Sequence, residues 1–136
     1  VTRSSERAHL TILGLGAGAA WGVIAWLLGG SAFGPAIWPS VLGSPLIGAL
    51  VARLIHPRFA QSGGLGRALW SLSSLYGGAL LFSLPLAVGQ PGGRPAAEVA
   101  VESLVAVLWG VTMTGFVLVL WPMAYLTHRL IEWRLD

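Results

Sequence analysis

The chain has 136 residues, 55% hydrophobic and 10% charged, with a mean hydropathy of +0.77 and a formal net charge of +3. Soluble domains carry roughly 25% charged residues, so this composition leaves too little polar surface to coat a water-soluble globule. The absence of cysteine excludes disulfides, thiolate metal sites and thiol nucleophiles.

Residues 1–8 are short, polar and basic. An uncharged stretch follows over 9–28, about 20 residues, enough to cross a hydrocarbon core roughly 30 Å thick. It exceeds the apolar region of a cleavable signal, which is about 7–15 residues, and is read as a retained helix. A second span is placed at 33–55. Pro35 or Pro39 opens it, where a missing N–H costs little; Pro45 kinks it; and Pro57 disfavours helix at His56. A glycine-rich loop leads to a third span at 67–88, with Pro85 near its far end. After GQPGGRPAA, a fourth span covers 97–127 as one helix, too long to cross without tilting or protruding. The tail HRLIEWRLD continues it with an amphipathic pattern.

These spans predict an all-α membrane protein: a single domain of four transmembrane helices in an antiparallel bundle. Seven of the eight arginines fall on one side of such a four-pass path, at positions 3, 7, 53, 58, 67, 129 and 134, and Arg94 is alone on the other. The positive-inside rule makes the first side cytoplasmic, with both termini there. The same placement accounts for the basic character, so no nucleic-acid partner is expected. Abundant alanine, glycine and arginine, without lysine or asparagine, suggest a bacterial source and hence a cytoplasmic (inner) membrane.

Gly14, Gly18 and Gly22 stand four apart in the first span and form a face that another backbone can approach closely. Ser73 with Gly77, Ser74 with Gly78, and Ala106 with Gly110 and Thr114 repeat that spacing in the third and fourth spans. Such faces pack either within the bundle or against a partner subunit. Glu98 and Glu102, with Arg94 four residues before Glu98, open the fourth span. Glu98 is read as interfacial. Glu102, one turn deeper, is read as facing protein; Glu98, Glu102 and Arg94 together are the candidate polar site, since ionisable groups in lipid are costly. His9, His56 and His128 all fall at cytoplasmic ends and are candidate ligand or interface residues. They lack clustered metal-ligand spacing and are read mainly as solvated boundary residues. Of the seven tryptophans, Trp70, Trp121 and Trp133 fit an interfacial belt.

No nucleophile elbow, phosphate loop, metalloprotease motif or paired carboxylate within an apolar run occurs, so no catalytic residues and no metal are assigned. The leading expectation is a non-catalytic subunit that packs by small-residue faces into a larger complex, of the energy-transducing, photosynthetic or respiratory kind. The alternatives are a small oligomeric transporter or channel using Glu102, and an intramembrane enzyme. Expected partners are membrane lipids and other membrane subunits, or further copies of the chain. No cofactor is predicted beyond bound lipid, with a pigment or haem contact as the lesser expectation.

Overall fold

In the computed structural model, which describes residues 3–136, five α-helices and one 3-10 turn account for nearly the whole chain, and no strand occurs among the described residues. Helix α1 (Arg3–Phe33) is 31 residues long. It ends where Gly34 takes φ +60°, the left-handed backbone that glycine supplies most cheaply after a helix. A 3-10 turn (Gly34–Ile37) carrying Pro35 reverses the chain into α2 (Trp38–Gln61). Helix α3 (Gly64–Val88) returns, and α4 (Ala96–Met113) and α5 (Val117–Leu135) follow.

Several boundaries differ from the sequence reading. Helix α1 continues to Phe33 rather than stopping at 28, so the turn falls at Gly34–Ile37 and α2 opens at Trp38 rather than 33. Helix α2 runs through Pro57 and stops at Gln61 rather than near 55. Pro57 cannot donate to the carbonyl of Arg53, a single gap in the ladder that α2 carries without ending; one residue on, the Arg58 guanidinium donates to the Leu54 carbonyl. The single fourth helix is two: Gly115 at φ +78° separates α4 from α5. The Thr114 hydroxyl turns back onto the Gly110 carbonyl just before the break, and hydroxyl back-bonding of this kind bends helices.

Helices α1 and α2 form the tightest pair, α3 packs on α2, and α4 and α5 lie in succession along α3. Helix α5 also reaches α1, whereas no packed interface joins α1 to α4. The interior is divided into small patches: Ile37, Leu86 and Val107 at one end, Leu75, Leu120 and Ala124 in the middle, Leu10, Ala52 and Ile131 at the other. Serines 40, 44, 71, 74, 83 and 103 are buried between them. Leu42, Leu46, Leu50 and Leu54 project outward from α2 at four-residue spacing. Small polar residues inside and leucines outside invert the usual arrangement in water. Three helical stretches are long and apolar enough to cross a membrane: the Arg3–Gln61 run folded back at its turn, Gly64–Val88 and Ala96–Met113.

Candidate functional site

The α1 glycines fall on α2. A Cβ at Gly14 would lie 2.8 Å from the Ala49 Cα, and one at Gly22 would lie 2.7 Å from the Ser44 Cβ. At Gly18 it would meet the Ser44 carbonyl and, at 2.9 Å, the Gly48 Cα. Gly48 is reciprocal, pressed against Gly14 and Gly18. Gly48 was not among the glycines expected to pack, although Ser44, Gly48 and Ala52 are spaced by four and form a small-residue face. The other chosen glycines behave differently. Gly77 sees only Ile55, at 3.8 Å, and a Cβ at Gly78 or Gly110 would meet nothing within 4 Å.

Gly78 and Gly110 instead line a long groove of about 1090 Å³. It opens where α1 and α4 stand apart, with α2 and α3 as its floor. Ala17, Ala25 and Ala106 contribute small side chains to its walls, Gln90, Arg94 and Glu102 mark one end, and Trp21, Thr127 and His128 mark the other.

At the first end Arg94 donates to Glu102 at 2.8 and 2.5 Å and to Glu98 at 2.8 Å. The Glu102 hydrogen bonds, then that of Glu98, push the Arg94 pKa above the usual arginine range. Both carboxylates are more than half exposed, at 54% and 56%. Glu102 is therefore not enclosed by protein as its depth in the sequence suggested. One turn is short enough for its side chain to reach back to the guanidinium.

At the opposite end two of the three candidate histidines meet. His56 and His128 are each 3% exposed, not solvated. Their Nδ1 atoms are 3.2 Å apart and their planes differ by 17°. The ring centroids are 5.4 Å apart, so the nitrogens approach head-on along the line of centres. This is the geometry of one N–H donating to one lone pair. A shared metal needs both lone pairs to converge at an angle, and among the described residues no group of three or more histidine, cysteine or acidic side chains is placed to hold one. Phe59 stacks on His128 at 4.9 Å, Tyr125 meets the Phe59 ring edge-on, and the Arg67 guanidinium lies 5.1 Å from its centre. Arg67 pairs with Glu132 at 3.1 Å, and Arg129 approaches it at 3.4 Å. His9 is apart from this cluster, exposed and bonded to the Ser5 carbonyl at 2.9 Å.

Two tryptophans tie α5 down. Trp21 Nε1 donates to Thr127 Oγ1 at 3.1 Å, and Trp121 Nε1 donates to the Ala68 carbonyl at 2.8 Å. Trp121 thus spends its indole N–H on α3 rather than on an outer interface. The arrangement can hold an apolar body along the groove and polar groups at its ends; among the described residues no hydroxyl lining it is hydrogen-bonded to a histidine or a carboxylate. Compared with known proteins, the chain matches no family model, no curated protein and no solved structure.

Proposed function

We propose that the chain is a four-pass protein of a bacterial cytoplasmic membrane, with both ends on the cytoplasmic side, acting as a non-catalytic subunit of a larger membrane complex. The observation that carries this reading is the groove between α1 and α4, whose residues Gly78 and Gly110 are left unpacked by the chain's own side chains. Between helices in lipid there is little hydrophobic drive, and close packing is the main gain from association. The small residues in its largely apolar wall, among them Ala17, Gly78, Ala106 and Gly110, leave room for another membrane component to pack closely. The outward leucines of α2 and the one-sided arginines support the membrane placement. The transporter reading is weaker because its key acid, Glu102, is held by Arg94 at the surface.

Gentle solubilisation from the native membrane, followed by native mass spectrometry, tests the reading. The expected result is a stoichiometric complex with at least one unrelated membrane subunit. A lone homo-oligomer that moves protons or cations in vesicles, and loses that activity on Glu102→Gln, overturns it in favour of transport.

A further inference from the structure

We propose that His56 and His128 form an acid-sensitive latch between α2 and α5, closed while the pair is neutral and opened when the accepting imidazole takes up a proton.

The geometry of the bond sets the sign. With Nδ1 facing Nδ1 at 3.2 Å, one ring carries its hydrogen on Nδ1 and donates it, while the other carries its hydrogen on Nε2 and accepts. A proton added to the donor ring goes to its Nε2 and leaves the bond intact. A proton added to the accepting Nδ1 removes the lone pair and sets two N–H groups against each other across 3.2 Å. The doubly protonated pair cannot keep this arrangement. Separated rings have room for both protons, so opening takes up at least one proton and acid favours it.

The neighbouring charges do not offset the added protons. From α3, Arg67 lies over Phe59, the ring stacked on His128. From α5, Glu132 pairs with both Arg67 and Arg129, so two guanidiniums already share one carboxylate; Tyr125 meets Phe59 by its ring. Helix α2 adds Arg53 and Arg58, both exposed, with Arg58 lying over Trp70. From α1 the residues packed at this end are Leu10 and Leu13, and His9 is exposed and bonded within its own helix. The cluster carries excess positive charge before either histidine is protonated. Both rings are enclosed, where further unpaired charge is costly.

The position of the pair gives its opening a consequence. Helix α5 packs mainly on α3 and touches α2 least. Its joins to α2 include the histidine bond and the contacts of Phe59 with His128 and Tyr125. His128 also lines the groove between α1 and α4, so parting the rings reshapes that end of it.

The test uses the purified full chain in detergent, isotope-labelled on its histidine ring nitrogens. Nuclear magnetic resonance at about pH 7.5 is expected to show a scalar coupling between two Nδ1 nuclei, the signature of an N–H···N bond, and to lose it by about pH 4.5. That end point is about two units below the ordinary histidine value of about 6.5. Each proton taken up only on opening then shifts the balance about a hundredfold, the size of the roughly 5- to 150-fold preference that a buried hydrogen bond supplies. The chain has no cysteine, so spin labels on Ala60→Cys/Leu130→Cys read the separation of α2 and α5 directly. Their mean distance is expected to lengthen by about 3 Å on acidification, room for one water between the rings. Labels on Ala60→Cys/Leu69→Cys, across α2 and α3, should keep their distance. With His56→Leu/His128→Leu added, the α2–α5 distance should be the same at both pH values. A coupling absent at neutral pH, or persisting at about pH 4.5, overturns the latch. The same lengthening in the leucine variant gives the motion to another group, Glu132 first, and also overturns it. Should the leucine variant fail to fold, the coupling in the unmodified chain decides.

Discussion

Gly18 and Gly110 share a small-residue spacing in sequence and have opposite surroundings. Gly18 is pressed on the backbone of Ser44 and Gly48, whereas Gly110 faces open space. Gly18→Ala is expected to destabilise the fold by about 1–3 kcal/mol, because the added methyl meets backbone rather than a side chain that can swing away. Gly110→Ala is expected to be neutral or to stabilise by up to about 1 kcal/mol, the helix-propensity difference between the two residues. Thermal unfolding of both variants in one detergent checks this, and equal midpoints would remove the close α1–α2 contact. Spacing thus identified the residues but not which faces were already occupied, since that depends on which helix lies opposite. The histidines were less legible still. His56 and His128 are 72 positions apart, and only the return of α5 past α2 brings their Nδ1 atoms to 3.2 Å. His128→Leu leaves the buried His56 Nδ1 without its partner and should cost about 1–3 kcal/mol. His56→Leu/His128→Leu should cost less than the two single changes together, because no unpaired imidazole remains. A thermodynamic cycle that is additive within error would show that the two rings are not coupled.

At the level of elements, the apolar runs located the helices because each is long enough to stand out from its glycine- and arginine-rich boundaries. The break between α4 and α5 was hidden in one such run. A lone glycine among apolar residues reads the same whether it packs a helix, as Gly18 does, or ends one, as Gly115 does; the difference is a φ of +78°. Gly115→Ala places a side chain in left-handed backbone and is expected to cost about 1–2 kcal/mol. Gly16→Ala, within α1 with nothing within 4 Å, should be neutral or stabilising. If both alanine variants unfold at the same temperature, α4 and α5 are one continuous helix. The break matters for the groove. It lets α4 follow α3 at the Arg94 end while α5 turns toward α1, where Trp21 and Thr127 close the far end. A straight rod over 97–127, as the sequence suggested, has no such point of redirection.

For the whole molecule, the arginines divide unequally between the two ends of the bundle. Arg67, Arg129 and Glu132 join α3 to α5 at the end of the bundle that carries the histidine pair. Arg53 and Arg58 flank His56 on α2, and Arg134 follows on α5. Arg94 is alone at the opposite end, charged but offset by two carboxylates. The Arg67–Glu132 pair removes little of this asymmetry, because orientation follows arginine and lysine near the ends of spans rather than net charge. The membrane reading therefore predicts that the loop around position 62 and the end at 136 lie in the cytoplasm, and that the turn around 92 lies outside. Paired reporters active on only one side of the membrane, fused after each of these positions, test it. Signals alternating as cytoplasmic, external, cytoplasmic are expected for 62, 92 and 136. Moving the charge supplies a sharper form of the test. Replacing Arg53, Arg58 and Arg67 with glutamine while adding arginines beside Gly92 should weaken or invert the orientation, because it reverses the bias on the two central loops. An unchanged orientation would mean that something other than these arginines sets it. An external signal at 62 in the unmodified chain would overturn the four-pass path itself.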